Sequence, residues 1–437
     1  MKAYSAYKPT KIEWVGKIPS HWELKPIRAI FEERKESNTG PKTDFILSVM
    51  KDVGVIPYDE KGDVGNKKSD DIERYNIVHP GDLVLNKMNV IIGSVGISDF
   101  YGALSPVYII LYPREFKRND HRFLGYLFKV KPFQRSLRKI ANGILEIRES
   151  IKRNEFKKIT LPLPYFEEQQ RIADFLDQKT AEIDEAISKK QHLVELLEER
   201  KAILINQAVT KGLNPDVPMK DSRVEWIGVI PEHWNIAQNR RFLINIEQGY
   251  SPPLDNDNAH EEFSVLKLSA IKKGKYIDGE YKMVPKKFFN PQYRLYKGDL
   301  LLTRSNTPEL VGDTCYVDTD FPIKVMISDL VYRLSYNRRN VDHEFMNYFY
   351  QSSVARTQIR FDARGSSSTM VKIRQDHIKS WLILVPPIDE QKSIIKFIKK
   401  VSSDIETVIG LVEFEVEKLQ ELRMILISQT VTGKIKI

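Results

Sequence analysis

The sequence predicts an α+β protein: two copies of one mixed α/β domain, separated by an antiparallel two-helix coiled coil and related by a pseudo-twofold axis. Three observations carry this reading. Glu13-Trp14-Val15-Gly16-Lys17-Ile18-Pro19-Ser20-His21-Trp22 returns 212 residues later as Glu225-Trp226-Ile227-Gly228-Val229-Ile230-Pro231-Glu232-His233-Trp234. Pro164 with Glu168-Gln169-Gln170-Arg171-Ile172 returns 222 residues later as Pro386 with Glu390-Gln391-Lys392-Ser393-Ile394. Each copy then ends in a long stretch whose apolar residues are spaced by three and four. A displacement this long marks a duplicated domain rather than a solenoid, whose repeats run from about 20 to 50 residues. The 437 residues also exceed the range in which a single core keeps growing.

The elements follow in order. Residues 1–165 form the first mixed domain, with short apolar runs bounded by turn formers: Phe45 to Val49, Gly81 to Leu85, Val90 to Ile92 before Gly93, and Val107 to Leu111 before Pro113. These read as strands. Phe123 to Leu137 has helical spacing, with Pro132 expected to break or restart it. Residues 166–212 read as one long helix, its stripe passing through Ile172, Leu176, Ile183, Ile187, Val194, Leu197, Leu204 and Ala208, with Lys190 and Lys201 as polar interruptions. Lys211-Gly212, with Pro215 and Pro218 behind, ends it. Residues 213–387 repeat the mixed domain, and 388–437 repeat the helix. There Ile398, Ile405, Val412, Leu419 and Leu426 hold one heptad position; Ile394, Val401, Val408 and Leu422 hold the other, interrupted by Glu415 and Gln429. A helix of this length spans about 60 Å, and an apolar stripe along it needs a partner of similar length. Packing of the two helices on each other is the economical solution; packing of each on its own domain is the alternative. The second domain is ten residues longer than the first, so the helical frame agrees between halves while the domain interiors differ.

Composition narrows the chemistry. A formal charge of +9 and a pI near 9.1 suit an anionic partner without demanding one. Cys315 is the only cysteine, which excludes a disulfide framework and a Cys-rich zinc site. The first residues carry no apolar targeting segment, and no run is long enough for a membrane span, so a cytoplasmic protein is expected. The eight histidines form no His-x-x-x-His pair. A Walker loop, a Gly-x-Gly-x-x-Gly turn and an Asn/Asp-Pro-Pro-Tyr/Phe tetrapeptide are all missing from the sequence. Glu280-Tyr281-Lys282 has the spacing of a nuclease triplet, but the first half has no equivalent. His21 and His233, each beside a tryptophan, read as parts of an aromatic clamp rather than as catalysts.

Taken together, Trp14-x-Gly16-x-x-Pro19-x-x-Trp22 and its second copy, the Gly-Asp-Leu strand starts at Gly81 and Gly298, and the proline-then-Glu-Gln tails resemble the specificity subunit of type I restriction-modification enzymes over the whole length. That resemblance implies two target-recognition domains, each reading one half of a split, asymmetric double-stranded DNA site, held apart by the helices. It implies that the helices seat two methyltransferase subunits using S-adenosylmethionine to modify adenine N6, and that restriction subunits join the full complex. The chain itself would bind no cofactor or metal and carry out no catalysis. The alternatives are a self-contained DNA-modifying enzyme and a coiled-coil scaffold without DNA binding. On this reading the helix pair is a spacer whose length sets the unread gap.

Base reading needs paired donors and acceptors, whereas phosphate contacts need positive charge or backbone N–H groups. Candidates therefore sit where the halves differ. Asn86, Lys87 and Asn89 follow the first Gly-Asp-Leu strand, and Thr303, Arg304, Ser305 and Asn306 follow the second. A second segment runs from Asn142 through Arg148 to Lys152; its counterpart is Arg364, Gly365, Ser366 and Ser367, with Lys372 and Arg374 behind. Gln248 and Tyr250 form a third. For the interhelix contact the candidates are Ile183, Ile187, Val194, Leu197 and Leu204 against Ile398, Ile405, Val412, Leu419 and Leu426.

Overall fold

The computed structural model describes residues 2–63, 67–69, 71–142, 150–252, 260–321, 323–367 and 370–437. Two compact units result: Met1–Gln191 together with Val412–Ile437, and His192–Leu411.

The first unit is built on a four-stranded antiparallel sheet in the order Phe31–Glu33, Tyr108–Pro113, Leu83–Asn86, Val95–Ile97. Because side chains alternate along a strand, Leu83, Leu85, Ile109 and Leu111 point into one core, against Phe123, Leu124, Leu127 and Phe128 of helix α1 (His121–Phe128). Val84 and Ile110 point the other way, into a second cluster with Leu47, Val49, Val78 and Leu104. Burial on both faces explains why these strands are continuous apolar runs. Val90–Ile92, expected as a strand, is instead a 3-10 turn closed by Gly93, whose φ of +111° a side-chain-bearing residue rarely adopts. Pro132 does restart the helix: α1 ends at Phe128, and Lys131–Ser136 begins a new one with the proline in its first turn.

The second unit repeats the plan with a sheet in the order Leu243–Gln248, Val331–Tyr336, Leu300–Thr303, Thr314–Tyr316. Again the central strands are buried on both faces: Leu300, Leu302 and Leu334 in one core, Leu301 and Val331 in another, joined there by Cys315 of the edge strand.

Two long helices, α2 (Phe166–Lys211) and α4 (Ile388–Val431), each contribute one half to either unit. Inside each unit they run antiparallel. In the first, Asp184 pairs with Arg423 at 3.1 Å and Lys190 with Glu415; Leu426, Ile427 and Val431 join Ile172, Ala173 and Leu176 in its core. In the second, Lys201 pairs with Glu406 at 2.9 Å, and Ala208 and Val209 share a core with Ile394 and Ile398. The α2 stripe is as expected from its spacing, Ile183, Ile187, Val194, Leu197 and Leu204 being half-buried. On α4, Ile398, Ile405, Val412 and Leu426 are buried and Leu419 half-buried.

Their companion line on α4 holds at Ile394, which is buried, and Val401, which is half-buried, and is corrected by one residue beyond them. Val408 and Leu422 are exposed, whereas Ile409 is buried, Val416 and Arg423 are half-buried, and Thr430 is buried. Glu415 and Gln429 thus lie outside the seam and interrupt nothing. Both Val408 and Ile409 are apolar, and from Ile405 a step of three or of four is equally helical, so apolarity alone did not choose. Ile409→Ala should therefore cost about 2–4 kcal/mol in denaturant unfolding and Val408→Ala less than about 0.5 kcal/mol. The reverse ranking would reinstate the original seam.

Candidate nucleic-acid interface

Each repeated opening element is fastened to the first turn of its long helix by a carboxylate. The Trp22 indole, fully buried, donates from Nε1 to Glu168 Oε1 at 3.2 Å; His21 Nε2 lies 2.7 Å from Oε2, and the Tyr4 hydroxyl donates to Oε1 at 2.6 Å. Burial, and then the bond to Glu168, push the Tyr4 hydroxyl above its usual pKa. In the second half the Trp234 indole donates to Glu390 Oε1 at 3.1 Å, and His233 Nε2 lies 2.8 Å from Oε2. The following glutamines act on the short helices. Gln169 Oε1 accepts from the Asp120 backbone N–H, and Asp120 caps α1 by accepting from Arg122 and Phe123 N–H. Gln391 and Asp342 do the same for α3 (His343–Gln351). The tryptophan, the histidine and the Glu-Gln pair are therefore one joint, repeated.

The Gly-Asp-Leu strand starts are clasps. Gly81 and Gly298 turn the chain at φ of +88° and +92°. Asp82, buried, accepts from the His79 N–H at 2.8 Å and from Arg34 Nε and Nη2 at 2.6 and 2.9 Å. Asp299 accepts from the Tyr296 N–H at 2.9 Å and from Arg333 Nη1 at 3.1 Å; Arg333 also donates from Nε to Glu247 Oε2 at 2.9 Å. The same acid is matched in the first half by an arginine just after the strand Phe31–Glu33 and in the second by one within Val331–Tyr336. Nothing in the motif signals that partner, because Arg34 and Arg333 come from non-equivalent positions.

From the clasp each strand runs to the far end of its sheet, where the candidates gather. In the second unit Ser305–Asn306 pairs antiparallel with Met370–Lys372, which pairs with Arg364–Ser367. Residues 305–306 are thus joined with 364–367 and 370–372 in one small sheet that includes the backbone of Gly365 and Ser366. The Arg304 backbone is held on both sides, by Leu330 O at 2.8 Å and Ile373 N at 2.9 Å. Its guanidinium is held loosely, Nη1 reaching the Asp329 carbonyl at 3.5 Å. Gln248 Nε2 donates to the same carbonyl at 3.1 Å, and Tyr250, exposed, stacks on Tyr293 with ring centroids 6.3 Å apart. Lys372 and Arg374 are exposed, Arg374 at the start of the helix Gln375–Ser380. Tyr293 was not anticipated; 43 residues separate it from Tyr250 and no local pattern links them.

Two expectations are corrected here. Thr303 and Ser305 are fully buried, and the Thr303 hydroxyl donates to the Leu310 carbonyl at 2.9 Å, so neither presents a group at the surface. Asn306 is half-buried, and its Oδ1 accepts from the Thr307 N–H at 2.9 Å.

The first unit repeats the meeting of segments. Ala141–Asn142 pairs antiparallel with Ser150–Ile151, and the Ile151 N–H donates to the Lys87 carbonyl at 3.0 Å. Asn86 Oδ1 accepts from the Met88 N–H at 3.0 Å, shaping the turn on which Lys87 is half-buried and Asn89 exposed. Lys152 is exposed beside this pair; Arg148 lies outside the described residues.

Comparison with known proteins agrees with this duplicated arrangement. The profile of the family described as "Type I restriction modification DNA specificity domain" matches residues 19–195 and again 242–411. The chain belongs to that family. Among relatives of this specificity chain, the type I restriction enzyme MjaVIII specificity subunit of Methanocaldococcus jannaschii is 24% identical over 96% of this chain and 94% of its own length. The EcoKI specificity subunit of Escherichia coli is 20% identical over 96% and 90%. The match to the Escherichia coli EcoEI specificity subunit, at 25% identity, spans 47% of this chain and 35% of that protein. The fold is shared with a chain solved in a study of complex assembly and conformational transition of the type I R-M system, with a TM-score of 0.68, 14% identity, and coverage of 96% and 99%. It is also shared with the HsdS subunit from Thermoanaerobacter tengcongensis, with a TM-score of 0.52, 13% identity, and coverage of 96% and 98%. Among the described residues, no three His, Cys, Asp or Glu side chains gather to hold a metal ion, and no helix is long and apolar enough to cross a membrane.

Proposed function

We propose that this chain supplies DNA sequence choice to a type I restriction-modification complex by reading a bipartite, asymmetric site, one half-site per domain. The supporting observation is that, in both halves, two segments that differ between the copies meet at the same end of the same sheet. Arg304 and Gln248 there are donors of the kind that read guanine and adenine edges, while Lys372, Arg374 and Lys152 suit phosphates.

The antiparallel helices act as the spacer. Their 46 and 44 residues correspond to about 65–70 Å, long enough to hold half-sites one DNA turn, about 34–36 Å, apart. Two methyltransferase subunits, carrying S-adenosylmethionine, and the restriction subunits assemble on this chain in the cytoplasm; the chain itself is non-catalytic. Co-expression with the cognate methyltransferase subunits, followed by genome-wide mapping of N6-methyladenine, is expected to return a split motif. A continuous motif, or methylation by the chain alone, would sink the proposal.

A further inference from the structure

Helices α1 and α3 correspond position for position at a displacement of 222. Asp120 and Asp342 cap them, His121 and His343 open them, and Phe123 and Tyr126 match Phe345 and Tyr348. Position 122 breaks the agreement: Arg122 stands where the second half has Glu344. The helical faces that these residues meet are reversed too. Arg122 Nη1 lies 2.8 Å from both Asp174 Oδ1 and Asp177 Oδ2 of α2. Glu344 lies 2.8 Å from Lys399 Nζ of α4. Asp174 and Asp177 correspond to Lys396 and Lys399. Two of the ion pairs between the long helices behave differently, although a third, Lys190–Glu415, has Val412 and Leu193 at the corresponding positions. Asp184–Arg423 in the first unit and Glu406–Lys201 in the second are the same two positions with signs kept. At those two positions the contact between the helices keeps its charges from half to half, whereas the contact of domain with helix reverses them.

We propose that these reversed charges key each domain to the first turns of its own long helix, so that the exchangeable module runs through Thr180 or Ser402 rather than ending at Pro164 or Pro386. Seating the second domain on α2 would set Glu344 against Asp174 and Asp177. Seating the first on α4 would set Arg122 against Lys396 and Lys399. Both crossed combinations are repulsive and both natural ones attractive. Screening weakens such effects at the surface, but the Glu344 side chain is only 15% exposed. The Tyr126 hydroxyl, donating to Asp177 Oδ1 at 2.7 Å, extends the same contact. Seating of this kind is independent of DNA reading, so a melt reports on it whatever the DNA role.

The test uses the full chain. Arg122→Glu alone, and Asp174→Lys with Asp177→Lys, should each lower the melting temperature by roughly 2–4 °C. The triple variant, which carries the charges of the second half, should recover most of that loss. Losses that add in the triple variant, or no loss in any variant, overturn the proposal. If Arg122→Glu yields no folded protein, a triple variant that folds supports the key and one that also fails overturns it. A second comparison replaces the first domain by the second in the full-length chain, joined either after Pro386 to Tyr165 or after Ser402 to Ala181. The later junction should melt higher, and Asp174→Lys with Asp177→Lys should raise the earlier one; equal melting of both junctions overturns the module boundary.

Discussion

Replacing Glu168 by alanine is expected to destabilise the first unit by about 3–5 kcal/mol, more than the matching Glu390→Ala destabilises the second. Glu168 is a nearly buried carboxylate with a histidine, an indole and a phenol on its two oxygens. Its removal leaves the fully buried Trp22 N–H and the half-buried Tyr4 hydroxyl without their partner, and a buried group so left costs about 1–3 kcal/mol. Hydrogen bonds to a charged acceptor are also about twice as strong as neutral ones. Glu390 holds a histidine and an indole in the same geometry, but its side chain is 26% exposed against 8% for Glu168, and Tyr4 has no equivalent there. Glu390→Ala is accordingly expected to cost about 1–3 kcal/mol. Denaturant unfolding followed by tryptophan fluorescence measures both, since Trp22 and Trp234 sit on the two carboxylates. Equal losses would mean that Tyr4 contributes nothing.

Arg304→Ala should act on sequence choice rather than on stability. The backbone of Arg304 is fixed by Leu330 and Ile373, while its guanidinium rests on a single long contact to the Asp329 carbonyl. Little folded-state interaction is lost on truncation. If the guanidinium reads a base, discrimination at one position should fall by about 1–3 kcal/mol, roughly 5- to 150-fold. Methylation by the assembled complex would then show a motif degenerate at that position. Lys372→Ala should instead weaken binding at all sites alike and lower the slope of log affinity against log salt by about one. An Arg304→Ala complex that keeps the full motif and merely binds more weakly would assign Arg304 to a phosphate.

The duplication was plain in the sequence because the joint that it marks uses residues with few substitutes: an indole that both packs and donates, a carboxylate to receive it, and a glutamine to hold a helix cap. What stayed hidden was partnership at a distance. Nothing near Asp82 or Asp299 announces Arg34 or Arg333, and nothing near Tyr250 announces Tyr293. Thr303 to Asn306 show a subtler limit. By sequence all four simply follow the strand and qualify alike as candidates. The backbone instead continues from one strand into the next, so alternate side chains face inward; Thr303 and Ser305 are buried, while Arg304 and Asn306 are half-buried. The α4 seam failed for a related reason. Once Ile405 is placed, Val408 and Ile409 satisfy apolar spacing equally well, and only the facing helix decides.

The division of the chain into units carries a consequence for how it is made. The second unit, His192–Leu411, is continuous in sequence, whereas the first needs Val412–Ile437 to complete it, with Leu426, Ile427 and Val431 in its core and Lys436 donating to the Lys2 carbonyl at 2.9 Å. A ribosome releases residues in order. The half translated first must therefore wait, with part of its core uncovered, until the half translated second has emerged and has everything it needs. Premature termination after residue 411 would spare the later unit and strand the earlier one.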